Sequence, residues 1–233
     1  MSIQNLKLSV GIALVAMFFF TAGSISAQSN GGFENGECSV GWNSLSAGSM
    51  AIPGWTVGGA GVDWICTYWQ PSEGLRSIDL NNLDAGSLSQ DAETVAGYTY
   101  WLKFDLSGNP DGIADTNNPW FSPSLKVVAV SVGGADPEYF SYDTAVEGNT
   151  HADMKWAPQS LVFIADADST SMNFDSQIPG AFGPALDDVR LEIVTEVCHR
   201  NFGKAPFKTL SPDLYDVADH IRHGDAAGPC PAE

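Results

Sequence analysis

Between residues 28 and about 195 this chain repeats one pattern, short runs of period two separated by turn residues. Tyr98, Tyr100, Leu102, Phe104 and Leu106 alternate with Thr99, Trp101, Lys103 and Asp105, the spacing of a strand with one face buried. Leu125–Val132 is a β-branched run suited to a central strand, and Leu161–Ala165, Ser171–Phe174 and the Val189, Leu191, Ile193 series continue the pattern. Turn signals punctuate it at Pro53–Gly54, 107–112, 133–137 and 178–180, with 108–123 as the longest polar loop. Short strands spaced by turns, without helical periodicity between them, give an all-β antiparallel sandwich or barrel. Hydrophobic residues make up 44% of the chain, enough to fill such a core and too many for a disordered acidic tail.

The two ends read differently. Lys7, the apolar run Leu8–Ala22 and the small residues Gly23–Ala27 have the layout of a secretory signal peptide, so residues 1–27 are expected to be removed. The alternative is a signal anchor, but the run is shorter than the ~20 residues of a spanning helix. No later run is long enough to span, so the mature chain is expected to be secreted or held at the cell surface. Residues 196–233 form a tail. Ser211 as N-cap, Pro212 and Asp213 predict a helix over 211–223, with Leu214, Val217, Ala218 and Ile221 on one face and Gly224 ending it.

Export bears on the four cysteines. In an oxidising compartment an even count reads as disulfides, and four cysteines allow three pairings. Proximity in sequence favours Cys38–Cys66 and Cys198–Cys230, the second closing a loop around the tail helix, a piece too small to hold itself together by core burial. Charge narrows the partners. With 10 Lys+Arg against 28 Asp+Glu the formal charge is −18, which excludes a phosphate-tracking nucleic-acid binder and charge-driven docking on an anionic membrane.

Several phrases carry a family resemblance: 30–34 (NGGFE), 52–57 (IPGWTV), 61–65 (GVDWI), Tyr68–Trp69, 74–81 (GLRSIDLN), 106–110 (LSGNP) and 183–189 (GPALDDV). In this order they resemble the choice-of-anchor C family, related to domain of unknown function 642 of plant cell-wall proteins. The resemblance implies a galactose-binding-like jelly-roll β-sandwich outside the cell, without an established activity. It departs at the C-terminus, where no LPxTG-like signal or hydrophobic tail is seen. The tail itself, with 197–199 (VCH), 220–225 (HIRHGD), Gly228 and Cys230, resembles a short Cys/His module that ends many secreted bacterial proteins.

Three candidate sites follow. In jelly rolls of this kind the first and last strands lie side by side. Glu34 near the start, with Asp187 and Asp188 in the last strand, would then share a structural calcium, which takes six to eight oxygen ligands. The competing reading is that these carboxylates cap backbone N–H groups. Asp187 shares parity with Val189 and Leu191, which directs it to the core. The second site is a glycan face. Sugar rings stack on aromatics, and acids and amides bond their hydroxyls. Trp69, Trp101 and Trp120, with Asp79, Asn81 and Gln90, are the expected ligand-binding residues, drawn from a set that also holds Trp55, Trp64, Tyr68 and Asp63. Asp79 and Trp101 are expected to face out of the core. Trp55 and Trp64 are assigned to the core, and the other three tryptophans stand evenly between core and surface. The third is a transition-metal site on His199, His220 and His223, the last two sharing a helix face. Against it stand dipole-favoured capping by His220 and His223 and, for a Cys/His zinc set, the disulfide.

Catalysis is the weakest reading. No GxSxG or HExxH occurs, no acid pair is marked out for glycoside hydrolysis, and His151 is expected to be a solvated loop residue. The sequence therefore points to an exported, non-catalytic module binding a polysaccharide or glycoconjugate. The alternatives are an adhesive surface protein that binds another protein, or a glycan-active enzyme.

Overall fold

The computed structural model describes residues 28–112, 121–200 and 207–231. The expected signal peptide, Trp120 and half of the 108–123 loop lie outside the described residues.

Two antiparallel sheets face one another. One runs β1 (Trp42–Leu45), β3 (Val62–Ile65), β4 (Ser77–Asp79), β11 (Pro184–Ile193), β6 (Thr99–Gly108), β9 (Ala157–Ile164). The other runs β2 (Thr56–Gly59), β5 (Gly86–Glu93), β10 (Ser169–Ser176), β7 (Leu125–Val132), β8 (Glu138–Asp143). This is the expected jelly-roll β-sandwich. A short helix α1 (Thr144–Glu147) follows β8. The inward rows of both sheets make one core around Trp55, Trp64, Tyr100, Phe104 and Phe174, so Trp55 and Trp64 are core residues as expected. The alternation along β6 is realised: Tyr100, Leu102, Phe104 and Leu106 are buried, while Trp101, Lys103 and Asp105 lie on the outer face.

Parity fails in β11. Asp187 pairs with Asp105 and Arg190 with Lys103, so Asp188 and Val189 share the one place opposite Phe104. The bulge is taken up at Asp188, whose φ is +47°. Val189 and Leu191 therefore point inward while Asp187 turns to the outer face. This corrects the core-side placement read from simple alternation. The N-terminal segment does run beside β11, with Val189 N donating to Gly31 O at 3.0 Å, but residues 28–41 form turns and not a strand.

The tail is a small unit of its own: β12 (Val197–His199) between β13 (Lys208–Leu210) and β14 (Ala226–Ala227), with α2 (Leu214–Arg222) packed on it through Val217 and Ile221. The helix starts later than expected. Asp213 is its N-cap residue, with its carbonyl accepting from Asp216 N and Val217 N. Ser211 instead donates to Glu196 Oε1 at 3.5 Å. Gly224, at φ +91°, ends it as expected.

Both expected disulfides are present. Cys38–Cys66 spans 5.8 Å between Cα atoms and Cys198–Cys230 spans 4.6 Å. The first fastens the approach to β1 against the end of β3, beside the buried Trp64 carbonyl. Closing a loop of that length stabilises by about 2–4 kcal/mol. The double variant Cys38→Ser/Cys66→Ser should therefore melt roughly 5–15 °C lower in calorimetry, with the tail disulfide still present by mass.

Candidate functional site

On the outer face of the six-stranded sheet, at its β1–β3–β4 edge, lies a cleft of about 220 Å³. Its floor follows from strand register. Ser44, Asp63, Asp79 and Ala185 are cross-strand partners in turn, so two acids stand directly opposite each other on one face. Trp42 and Ile65 form the neighbouring row. Tyr68 and Trp69 arrive on the β3–β4 loop, Asn82 and Leu83 on the β4–β5 turn, Asn109 and Asp111 after β6, and Ala181 and Phe182 before β11.

Trp42 is the aromatic wall. It is 48% exposed, and its ring meets that of Tyr68 edge-on at 4.8 Å. Tyr68 is fixed from behind: its hydroxyl donates to Asp111 Oδ2 at 2.7 Å, and Asp111 Oδ1 bonds His151 Nε2 at 2.8 Å. His151 also packs on the Tyr68 ring at 4.5 Å. It is thus a partly exposed loop residue, as expected, that also supports the cleft wall. The bond to Asp111, with burial, pushes the Tyr68 hydroxyl up to about 12, so it stays a donor.

Asp79 is 1% exposed. It faces away from the sandwich core, as its alternation predicts, but the loops cover it. Its carboxylate accepts from Asn109 Nδ2 at 2.7 Å, Asn81 N at 2.9 Å and Gly183 N at 3.0 Å. Position 183 must be glycine, since a Cβ there would lie 2.6 Å from Asp79 Oδ1. Burial outweighs these donors and pushes the carboxyl up to about 7, with Asp63 opposite adding to the rise. Asp63 is raised as well, by burial, against the hydrogen bond from Ser44 Oγ at 2.6 Å. Beneath the far wall Lys126, 1% exposed, donates to Ser122 Oγ and to Phe182 O at 2.7 Å each. Burial lowers its ammonium to about 8.

The other expected residues have different roles. Trp69 is buried in a second apolar cluster with Ile65, Met154 and Ala185, its indole donating to Ser77 Oγ at 2.8 Å; it lines the cleft from beneath and offers no stacking platform. Asn81 is fully buried and holds the 178–180 turn through Ile178 O and Gly180 O. Gln90 is on the core side of β5 and ties Ser29 and Gly54 together. Trp101 is on the outer face as expected but lies under the tail. Gly228 rests on it so closely that a Cβ there would be 2.5 Å from the ring, and Lys103 Nζ sits 4.3 Å from the ring centroid.

Glu34 and Asp187 meet the same loop at different points. Glu34 Oε1 accepts from Leu75 N at 2.7 Å and Arg76 N at 2.8 Å. Asp187 Oδ2 accepts from Ser72 N at 2.8 Å and Glu73 N at 3.1 Å, and its Oδ1 from Asp188 N at 2.7 Å. Both acids are thus backbone caps, and Asp188 pairs with Arg190 at 3.2 Å. Among the described residues no group of three ligating side chains includes them. In the tail His199 and His220 come together on Asp225, whereas His223 is the exposed C-cap of α2 and stands apart.

Residue chemistry put Asp63, Tyr68, Trp69 and Asp79 among the polar and aromatic candidates. It missed Trp42, Asn109 and Asp111. Tyr68–Trp69 and Asn109–Pro110 lie in the family phrases, so their loops were flagged. Nothing in the sequence joined Asp111 to His151.

Residues 27–192 match the family described as "Protein of unknown function (DUF642)". A 197-residue alignment with halomucin of Haloquadratum walsbyi is 28% identical and covers 78% of this chain but 2% of halomucin. Among solved structures, TmCBM61 in complex with β-1,4-galactotriose is similar with a TM-score of 0.42, 17% identity and coverage of 73% of this chain and 99% of that one. A cyclase from Fischerella sp. TAU gives 0.48, 17%, 74% and 98%. A family 35 carbohydrate-binding module from Clostridium thermocellum gives 0.41, 12%, 64% and 97%. Binding modules and enzymes both occur among these neighbours, and likeness at this level says nothing of what the cleft binds.

The position of Asp79 has a consequence for stability. An unfolded Asp carboxyl releases its proton near 3.8, and folded Asp79 near 7. Between those values folding takes up a proton, so this contribution is fully present in acid and is lost as pH rises through 7. Asp79→Asn removes it. Unfolding free energies from urea titrations should fall from pH 5 to pH 8 for the wild type more than for the variant, by on the order of 3 kcal/mol; equal falls would contradict this account of the cleft floor.

Proposed function

This chain belongs to the DUF642 family, and from that premise we propose that it is an exported, non-catalytic binding module that takes one sugar ring of a larger glycan in the Trp42 cleft. The observation that carries the reading is Trp42 itself, a half-exposed indole standing over a floor of acids and amides. A sugar needs an aromatic face for its C–H bonds and acceptors or amides for its hydroxyls. Here Trp42 with Tyr68 supplies the first, and Asp63, Asn82, Asn109 and Asp79 the second. At about 220 Å³ the cleft is smaller than the roughly 300–1,000 Å³ of drug-sized pockets, which suits a single residue or chain end.

Two disulfides support export, because thiols stay reduced in the cytosol. Among the described residues no helix is long and apolar enough to cross a membrane. The finer likeness to choice-of-anchor C proteins belongs to this proposal, as does removal of residues 1–27. So does a polysaccharide or glycoconjugate partner of the wall, matrix or environment. A calcium ion on the Glu34–Asp187 loop remains part of the same reading, and a chelator-induced fall in melting temperature would support it.

The test is binding of the oxidised, untagged chain to a panel of soluble polysaccharides and their monosaccharides, followed by calorimetry. Trp42→Ala should weaken the best ligand about tenfold or more, since truncating an aromatic anchor costs at least about 1–2 kcal/mol. The melting temperature should hardly move, because the ring is half exposed. Sugar binding should survive 0.5 M salt; a partner held only by the acidic surface would be lost there. Silence across the panel, or full binding by Trp42→Ala, would rule the cleft out as a sugar site.

A further inference from the structure

The 28 Asp and Glu of this chain give many chances for carboxylates to crowd together. Yet among the described residues His199, His220 and Asp225 are the one group whose ligating atoms all lie within 4.8 Å of one another. The three come from different elements: His199 ends β12, His220 lies in α2, and Asp225 sits in the turn that leads from the helix into β14. His199 Nδ1 is 2.9 Å and His220 Nδ1 2.7 Å from the same oxygen, Asp225 Oδ2. The other oxygen, Oδ1, accepts from Arg200 N at 2.8 Å, which fixes the carboxylate plane. The imidazole rings stand at 90° with centroids 5.7 Å apart, so they approach the oxygen from separate directions.

We propose that His199, His220 and Asp225 form a binding site for a divalent transition-metal ion of the zinc class. Two imidazole nitrogens and a carboxylate oxygen are donors that zinc prefers, and three protein ligands with one open position make a complete tetrahedral set. Ligands held at about 2.0–2.1 Å around tetrahedral zinc stand about 3.3 Å apart. The two Nδ1–Oδ2 distances, 2.9 and 2.7 Å, need only lengthen by roughly half an ångström to admit the ion. Each neutral imidazole then keeps its proton on Nε2 and offers Nδ1 to the metal. The carboxylate is prepared for this. Its side chain is 5% exposed, and a buried anion gains from a cation partner. Access remains open, since the side chains of His199 and His220 are 43% and 25% exposed.

The frame is rigid before any ion arrives. Cys198 precedes His199 and is joined to Cys230. Asp225 N donates to His220 O at 3.0 Å, closing the turn between helix and strand. Val194, Val197 and Val217 pack under it. A purely structural lock of strand to helix through Asp225 would use the same contacts but would take up no metal, so metal uptake separates the two.

Zinc chloride titrated into the oxidised, untagged, chelator-stripped chain should saturate at one ion per chain. His199→Gln and His220→Gln should each weaken binding at least about 100-fold, and Asp225→Asn about 10–100-fold. His223→Gln and His151→Gln should leave it unchanged. Mass spectrometry showing the Cys198–Cys230 bond in each variant guards against misfolding. X-ray absorption on the zinc-loaded wild type, which needs no variant, should show two imidazoles in the coordination shell. No saturable uptake, binding that persists in the His199→Gln/His220→Gln double variant, or a shell without imidazole would each overturn the assignment. Sugar binding at the Trp42 cleft is a separate measurement and can fail without touching this one.

Discussion

The cleft exists because a loop is laid flat on the outside of a β-sheet, and carboxylates hold it there. A segment covering a sheet face loses water from its own N–H groups and needs acceptors at once. Between β3 and β4 these are Asp187 for Ser72 and Glu73, and Glu34 for Leu75 and Arg76. Asp105 adds a bond from the Ser72 hydroxyl. Asp187 reaches the loop only because the bulge at Asp188 turns it outward. Burial pushes its carboxyl up to about 8 against three N–H donors, the cost of using an acid as a rivet beneath a loop. With the loop fixed, Tyr68 and Trp69 are fixed, and the cleft has a wall.

How far the sequence reveals this depends on the range of each interaction. Strands were legible where alternation is local, as in β6, and Leu125–Val132 coincides with β7 to the residue. Both disulfides and the helix stop at Gly224 were legible from spacing. Burial on the outer face was not. Alternation tells that Asp79 and Trp101 leave the core; it cannot tell that a loop covers one and the tail the other. Asp187 shows the opposite failure, where counting by twos across an unseen bulge gives the wrong face. The bond of His151 to Asp111, forty residues away, was not legible because the two meet only through folding. His220 and His223 were paired by helical spacing, but tertiary placement joins His220 to His199.

The outer face of the six-stranded sheet is therefore divided. At the β6 side the tail sits on Trp101, with Tyr215 of α2 meeting Tyr98 edge-on at 4.7 Å. In the middle lie the β3–β4 loop and the Met154 cluster. Among the described residues the β1 edge is where an aromatic ring, Trp42, stands open over a polar floor. Among the described residues Trp69 and Trp101 of the outer face are covered while Trp42 stays open, which is why that residue carries the functional reading although no sequence pattern singles it out.

The acidity of the chain then acts on choice of ligand. Asp63, Asp79 and Asp111 all line the cleft, and among the described residues no Lys or Arg does. A uronic acid or sulfated sugar entering it would meet carboxyl groups in a partly desolvated space, where like-charge contact is costly, the more so as pH rises through 7 and Asp79 ionises. A neutral ring meets acceptors instead. Asp111 is already held by Tyr68 and His151, and Asp79 by three donors, so Asp63 with a single side-chain donor from Ser44 has the most accepting capacity left. If the cleft takes a sugar as proposed, selection among neutral sugars should turn on the hydroxyl that reaches Asp63 while the ring lies on Trp42.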